Sequence, residues 1–273
     1  MINNQGKVAV VFGVRNDSSI AYAIAKALHA SGCRIALTYL PESELFVKDF
    51  LDEIGEPHTL SAAVDVQDES QISSFLNTVH AQLGKIDYIL HGVAYGSAAV
   101  LCNRFLGSSE DTSTYLDIPF SDLAESIDIS AYSLLRITRA AVPYLASNAS
   151  ILTLTYNASQ RVFPNYAGMG VSKAALENIM LYLADHFRGT GIRVNALSPG
   201  LVMTSSSGGI AGVRKMRKYG KLTAPLGNIE GRDVAYAALY YFSDLSTKVT
   251  GNIHYVDGGF NIMGVPGDGV ENI

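Results

Sequence analysis

The feature that most constrains the fold is a regular alternation of short apolar runs with longer helical stretches. Continuous apolar runs of this kind are typical of strands buried on both faces of a parallel sheet. Helical stretches between them favour right-handed crossovers. The sequence therefore predicts one α/β domain, spanning 1–273, with a doubly wound parallel sheet of about seven strands and helices on both faces. The predicted strands are 8–12, 34–39, 58–64, 86–91, 151–155, 192–198 and 253–256.

Composition excludes several classes of protein. The chain has 273 residues, 48% hydrophobic and 16% charged, which is enough for a large core, and it shows no repeat, low-complexity tract or domain linker. Its formal net charge of −5 argues against a nucleic-acid partner. Cys33 and Cys102 have no metal-ligand spacing and indicate no disulfide framework. The first residues lack a signal pattern and no apolar run approaches the ~20 residues of a membrane span, so we expect a cytoplasmic protein. The cysteine spacing leads us to expect no metal site.

The first strand leads into a candidate nucleotide site. Gly13 ends the strand, a polar turn follows, and Ile20 opens a helix that Ser18 or Ser19 is placed to cap. The free N–H groups at a helix N-terminus bind phosphate. The usual Gly-x-Gly-x-x-Gly pattern is absent, so this turn alone is a weak dinucleotide signal, and an ordinary strand–helix turn is the alternative.

The end of the second strand indicates which cofactor is bound. An acidic residue there suits the free ribose hydroxyl of NADH, whereas an arginine suits the phosphate of NADPH. Glu42 and Glu44 follow the strand, with no basic residue close in sequence, which favours NADH. The alternative is that the two acids only open the next helix, where negative charge is favourable.

Two tyrosines and a lysine follow the fifth predicted strand. Tyr156, Tyr166 and Lys173 fall at a strand-to-helix switch, where open α/β sheets bind ligands. Seven residues separate Tyr166 from Lys173, about two helical turns if the helix already starts at Tyr166. The lysine would then lower the pKa of the tyrosine or hold a cofactor hydroxyl. The alternative is core tyrosines and a surface lysine.

Three other segments are candidates for binding. The long connection 92–121 either walls a substrate pocket or is a surface loop; the segment after it, 122–145, is predicted as one helix. The hydroxyl-rich loop 201–209 has the character of a lid. The basic cluster 214–221 is either a solvated helix face or a docking patch for an acidic partner.

Taken together, these segments resemble a known superfamily and one family within it. Residues 193–200 and 256–259 are similar to the short-chain dehydrogenase/reductases. Residues 13–21, 152–156, 164–170 and 209–216, with the Tyr-x6-Lys spacing, resemble bacterial FabI-type enoyl-acyl-carrier-protein reductases. The resemblance implies a Rossmann-like fold and a homotetramer that reduces the 2,3 double bond of enoyl thioesters with NADH, in fatty acid or related acyl-chain biosynthesis.

The resemblance also implies residue roles. Tyr166 would hydrogen-bond the thioester carbonyl, Lys173 would hold the nicotinamide ribose hydroxyls, and Tyr156 would lie beside the reacting carbons. Positions matching cofactor contacts are Gly13, Ser19, Ile20, Leu40, Asp65, Val66, Val93, Lys173, Val202, Met203, Thr204, Ser205 and Ser206. Gly96, Tyr156 and Met216 match substrate contacts, within a substrate-binding loop and helix at about 199–221. Arg214 and Lys215 match residues that meet the acidic carrier protein.

The chain departs from the family at two points. Many relatives have Ser and Gly where this chain has Gly92 and Ala94, and the connection after Tyr95 is longer. Both differences bear on substrate shape and inhibitor response, and Ala94→Gly is expected to enlarge the pocket.

Three alternative functions remain open at this point. One is a ketone or alcohol dehydrogenase of the same superfamily, which usually has Tyr-x-x-x-Lys and an upstream serine. Gly170 and Thr153 occupy those positions here, which argues against it. The others are an enoyl reductase of a secondary-metabolite pathway and a non-enzymatic cofactor-binding protein.

Overall fold

A computed structural model of the chain describes residues 2–54, 59–101, 115–208, 210 and 212–265. Within these ranges, seven strands form one parallel sheet in the order β3-β2-β1-β4-β5-β6-β7. The chain order reverses between β1 and β4, which is the point where doubly wound sheets open a crevice for ligands. The strands are β1 Val8–Phe12, β2 Arg34–Tyr39, β3 Thr59–Ala63, β4 Ile86–His91, β5 Leu145–Leu154, β6 Arg193–Pro199 and β7 Ile253–Val256.

The predicted strands are confirmed, with corrections to the bounds of three of them, β3, β5 and β6. β1, β2, β4 and β7 have the predicted bounds, whereas β3 is shorter and position 58 lies outside the described residues. β5 begins at Leu145 instead of Ile151. Pro199 was predicted to break β6 but is its last residue, where a missing N–H interrupts the ladder least, and Gly200 N donates to Val256 O at 2.8 Å just beyond it.

The helices follow the predicted alternation. Ser19 is the N-cap of the first helix, since its hydroxyl accepts from Tyr22 N at 3.3 Å. Before α2, a 3-10 turn covers Pro41–Ser43. The helices are α1 Ile20–Ala30, α2 Glu44–Ile54, α3 Glu69–Leu83, α4 Ala98–Leu101, α5 Phe120–Ile127, α6 Ser133–Ala141, α7 Ala167–His186, α8 Ser205–Gly208, α9 Val213–Thr223 and α10 Gly231–Tyr241.

The prediction of one helix over 122–145 is wrong. A π-helical turn, Asp128–Tyr132, separates α5 from α6, and a 3-10 turn then leads into β5. Wider turns of this kind concentrate at functional sites. The polar part of the preceding connection, 107–114, lies outside the described residues.

Helices cover both faces of the sheet, as predicted for a doubly wound fold. On one face Leu76, Ile137 and Leu176 of α3, α6 and α7 pack against the strands. On the other face Ile24 of α1 and Val234 of α10 do the same. Each of these five helices therefore buries an apolar face against a sheet that is buried on both sides. None of the helices in the described ranges has the length and hydropathy that a membrane crossing requires.

The first testable prediction concerns the packing of α7. Leu176 is fully buried against the sheet, whereas Leu45 on α2 is 78% exposed. Leu176→Ala should lower the free energy of unfolding by about 2–5 kcal/mol because it leaves a cavity. Leu45→Ala, the matched control, should change it by less than about 0.5 kcal/mol. Denaturant unfolding of both variants measures the difference, and equal losses would contradict the placement of α7.

Candidate active site

The turn after β1 can be made only with glycine. Gly13 has φ +91°, and a Cβ there would lie 2.6 Å from Gly92 O. Val14 N donates to Thr38 O at 3.0 Å, which fixes the turn against β2. The turn therefore brings the ends of β1 and β4 into backbone contact and leaves the crevice beside them open.

The N-terminus of α1 faces this crevice and fits a pyrophosphate. The Ser19 hydroxyl takes the N–H of Tyr22, so the N–H groups of Ile20 and Ala21 are left without an intrahelical acceptor. Backbone N–H groups and the positive end of the helix dipole are the usual partners of a phosphate. Because Gly13 keeps side-chain atoms away from the same turn, the residues present suit a dinucleotide.

Predicted cofactor positions lie at the ends of β2 and β3. Leu40 is half exposed just after β2 and Asp65 is exposed just after β3. Arg136 of α6 holds the backbone nearby, since its Nη1 donates to Val66 O at 2.8 Å. Glu44 pairs with Lys48 at 2.7 Å in the first turn of α2, so the alternative role of opening the helix applies to it.

The segment after β4 is tied to α5 and to the π-helical turn by serine hydroxyls. Tyr95 N donates to Ser130 Oγ at 2.9 Å, and Ser126 Oγ donates to Tyr95 O at 2.9 Å. A Cβ at Gly96 would lie 2.8 Å from Met169 Sδ, so this backbone packs directly against the first turn of α7. Val93, on the same segment, is partly buried, and Ala94 is exposed.

Tyr166 and Tyr156 meet at the start of α7. Their rings are in an edge-to-face arrangement with centroids 5.1 Å apart. Tyr166 is the N-cap of α7, which begins at Ala167, so the helix does not yet include it as the spacing argument assumed. Burial raises the pKa of Tyr166 to about 12 and also raises that of Tyr156. The expectation that a lysine lowers the tyrosine pKa is therefore wrong for this structure, since desolvation dominates.

Lys173 is buried at the centre of the site. Only 4% of it is exposed, and its Nζ donates to Leu154 O at 2.9 Å. Burial lowers its pKa to about 8, while the charge of Glu177 acts in the opposite direction. The alternative of a surface lysine is wrong. The group is an ammonium at neutral pH and presents its remaining N–H donors beside the end of β5.

Gly170 shows why the lysine lies seven residues after Tyr166. A Cβ at position 170 would lie 2.7 Å from Ala158 O, in the turn after β5. A lysine four residues after Tyr166 is sterically excluded unless that turn moves. The ketone-reductase spacing therefore does not fit this backbone.

An apolar cavity of about 550 Å³ opens beside Tyr156. Met216 and Lys215 line it, as the predicted substrate-binding region 199–221 requires. Sequence reasoning missed wall residues outside that region, Arg161, Phe163, Asp257 and Phe260 among them. Phe163 lies 4.9 Å from the Tyr156 ring by centroids, and its position between Tyr156 and Tyr166 was the available signal.

The loop after β6 reaches the nucleotide side of the site. Val202 and Met203 line a second depression together with Ser19 of the α1 N-terminus. Thr204 precedes α8, which Ser205 and Ser206 begin, and its Oγ1 accepts from Ser207 N at 3.0 Å. The structure therefore brings this predicted cofactor loop to the predicted pyrophosphate site. Arg214 and Lys215 are exposed on α9.

A sequence profile described as "Enoyl-(Acyl carrier protein) reductase" matches residues 13–261. The chain belongs to this enoyl-acyl-carrier-protein reductase family. An NADH enoyl-acyl-carrier-protein reductase from Rickettsia typhi is 40% identical over 262 residues, covering 95% of this chain and 96% of that protein. The resemblance drawn from the sequence motifs is thereby confirmed.

Solved structures of the same family share the fold of this reductase. The Bacillus cereus enoyl-acyl-carrier-protein reductase, solved with NADP+ and an indole naphthyridinone, is 33% identical and has a TM-score of 0.90, covering 97% of this chain and 100% of that one. The Anaplasma phagocytophilum enzyme, solved with NAD, is 36% identical and has a TM-score of 0.86, covering 96% of each chain. The predicted Rossmann-like fold is confirmed over nearly its whole length.

The second prediction tests the turn at Gly13. Gly13→Ala combines a left-handed backbone with a clash against Gly92 O, whereas Gly189, at φ +80°, has open space around its Cβ position. Gly189→Ala should therefore cost only the backbone term, about 1–2 kcal/mol of unfolding free energy. Gly13→Ala should cost more and also weaken NADH binding. Thermal unfolding and fluorescence titration with NADH measure both effects, and equal behaviour of the two variants would contradict the assignment.

Proposed function

We propose that this reductase uses NADH to reduce the 2,3 double bond of trans-2-enoyl thioesters carried on acyl carrier protein, in fatty acid or related acyl-chain biosynthesis. One observation carries the proposal: a partly buried, protonated Tyr166 and a buried Lys173 ammonium lie at the end of β5, where Tyr156, in ring contact with Tyr166, opens onto an apolar cavity. An apolar cavity suits an acyl chain. The family membership of the chain supports the same reaction.

Tyr166 acts as a hydrogen-bond donor in this proposal. Because its pKa is raised to about 12, the phenol keeps its proton at neutral pH. NADH, when bound, would supply the hydride that adds to C3 of the enoyl thioester, and a proton taken up from solvent at C2 would complete the reduction. The Tyr166 O–H then stabilises the negative charge that develops on the thioester carbonyl oxygen, and a preorganised donor in a dry site is effective at this task.

Lys173 and Tyr156 complete the arrangement. The Lys173 ammonium donates to Leu154 O, and in this proposal its other N–H groups bind the ribose hydroxyls of the nicotinamide half. Tyr156 packs edge-to-face on Tyr166 and lines the cavity, so it limits the positions open to the reacting carbons.

The preference for NADH rests on the end of β2. Leu40 and Glu42 are exposed there, so a 2′-phosphate would meet an apolar side chain and a carboxylate. The Rickettsia typhi relative carries NADH in its name, whereas the Bacillus cereus structure holds NADP+. Rates with the two cofactors should therefore differ in favour of NADH in this chain.

The proposal also covers the surface that binds the carrier protein and the oligomeric state. Arg214 and Lys215 lie on α9, and Lys215 also lines the cavity, so a basic surface adjoins the substrate entrance. The acidic carrier protein is the expected partner of that surface. A homotetramer in the cytoplasm is the expected state, and the exposed side chains of Leu116 and Phe120 are apolar surface available for assembly.

Absorbance at the NADH band, followed with crotonyl and longer enoyl thioesters, tests the proposal. NADPH and simple ketones are assayed in parallel. Turnover of enoyl thioesters with NADH supports it, and turnover of ketones alone moves the protein to the alcohol-dehydrogenase branch. Comparison of enoyl thioesters attached to carrier protein with those attached to coenzyme A distinguishes recognition of the carrier from the reduction itself.

The third prediction concerns Tyr166. Tyr166→Phe removes the donor to the developing oxyanion and should lower kcat by about 10²–10³-fold, with little change in NADH affinity. Tyr182→Phe, on the exposed side of the same helix at 72% exposure, is the matched control and should have wild-type kcat. Steady-state kinetics and NADH titration measure the two quantities. Undiminished kcat in Tyr166→Phe contradicts the assigned role.

The fourth prediction concerns the carrier protein. Lys215→Ala should raise KM for enoyl-carrier-protein by about two- to fivefold, the effect of one exposed ion pair, and the increase should shrink at high salt. Coenzyme A thioesters lack the acidic carrier surface, so their KM should change less. Lys221→Ala, exposed near the other end of α9, is the control. An equal change in KM for both thioesters would mean that Lys215 acts only as a wall residue of the cavity and would contradict its role in binding the carrier protein.

A further inference from the structure

Glu177 is a buried acid that the reaction described above does not use. It lies on α7, one helical turn after Lys173, and is 8% exposed. A buried carboxylate is costly unless hydrogen bonds compensate it. Three donors do so: Thr155 Oγ1 at 2.6 Å, Ser159 Oγ at 2.7 Å and Gln160 Nε2 at 3.5 Å.

The end of β5 holds Glu177 and Lys173 together. Leu154 O accepts from Lys173 Nζ, and the next residue, Thr155, donates to Glu177 Oε1. Two consecutive residues, one through its backbone carbonyl and one through its side-chain hydroxyl, therefore fix two groups that are four residues apart on α7. Residues with this spacing share one face of a helix, so the carboxylate and the ammonium face the same strand end.

Glu177 provides the opposite charge beside Lys173. Burial lowers the pKa of Lys173 to about 8, and the charge of Glu177 raises it. His91 faces the lysine from β4, but burial lowers its pKa to about 3, so it is neutral near pH 7. The two tyrosines at the start of α7 are also neutral, because burial raises their pKa values. Tyr255 of β7, near Glu177, has a raised pKa and is neutral too.

We infer that Glu177 is a positioning residue that keeps Lys173 protonated and seated on Leu154 O, so that the lysine can hold the ribose hydroxyls of the cofactor. The inference rests on the proposed function only through the cofactor. A neutral lysine would have two N–H donors in place of three and no charge. Cofactor affinity should therefore fall as Lys173 loses its proton.

A merely structural role for Glu177 makes a different prediction. In that case the carboxylate only ties the turn Asn157–Ser159 to α7, and an amide oxygen would do the same. Glu177→Gln keeps an acceptor for Thr155 and Ser159 but removes the charge. Glu177→Asp keeps the charge but shortens the side chain by one methylene group, which moves the carboxylate away from its donors. Asp185→Asn removes one charge from the exposed end of the same helix and serves as the control.

NMR titration of the lysine side chains in the cofactor-free protein gives the first readout. The Lys173 signal is assigned from its absence in Lys173→Met. In Glu177→Gln the titration midpoint should fall by about one pH unit, the effect of losing one nearby opposite charge. The midpoint in Glu177→Asp should lie between those of Glu177→Gln and the wild type, and the midpoint in Asp185→Asn should equal that of the wild type. An unchanged midpoint in Glu177→Gln overturns the inference.

The dissociation constant of NADH between pH 6 and 9 gives the second readout. Affinity of Glu177→Gln should weaken at a lower pH than wild type, by up to about tenfold between the two midpoints, since one pH unit is a factor of ten. Lower affinity by the same factor at every pH would indicate a structural role and overturn the inference. If Glu177→Gln does not fold, the Lys173 titration midpoint in Glu177→Asp decides. A charge effect lowers that midpoint, whereas a merely structural role leaves it unchanged.

These readouts separate the inference from the proposed function. Neither uses an enoyl thioester. If the wild-type protein fails to reduce enoyl thioesters but the Glu177→Gln midpoint falls, the reaction is wrong and the positioning role stands. If the wild-type protein reduces enoyl thioesters and the midpoint is unchanged, the reaction stands and the positioning role is wrong.

Discussion

The hydrogen bond from Lys173 Nζ to Leu154 O is the contact on which the site depends. It joins the longest helix that the structure describes, α7, to the end of β5, and it holds a charged group where only 4% of the residue is exposed. Burial alone would favour the neutral amine. The backbone carbonyl and the nearby Glu177 charge offset this, so that an ammonium persists beside the crevice of the sheet.

Close approach of backbone at the start of α7 makes that contact possible. Cβ atoms at Gly168 and Gly170 would lie 2.8 Å from Val100 O and 2.7 Å from Ala158 O. The small residues let α4 and the turn after β5 approach the start of α7 closely, and burial there raises the pKa of Tyr166 to about 12. The same packing excludes a lysine at position 170. Donor and cation therefore follow the Tyr-x6-Lys spacing, and the proposed role of the tyrosine is that of a neutral donor.

Much of this arrangement could be predicted from the sequence, because strand and helix periodicity are local properties. The alternation of apolar runs with helical stretches predicted a parallel sheet of about seven strands, and Ser19 was one of the two predicted caps of the first helix. Features that depend on tertiary contacts were missed. The π-helical turn before α6 arises where Ser126 and Ser130 bond the Tyr95 backbone, and no periodicity signals it. Of the two alternatives given for Lys173, a lowered pKa of Tyr166 has the wrong sign, since desolvation depends on packing that a spacing argument does not contain.

The central claim is that Tyr166 stabilises a carbonyl oxygen while hydride is delivered two carbons away. The most direct test is reduction of an enoyl thioester with NADH deuterated at the transferred position, with the product examined by NMR. The account predicts one deuterium at C3 of a saturated thioester and none at the carbonyl carbon. Deuterium on the carbonyl carbon, in an aldehyde or alcohol product with the double bond intact, would contradict it.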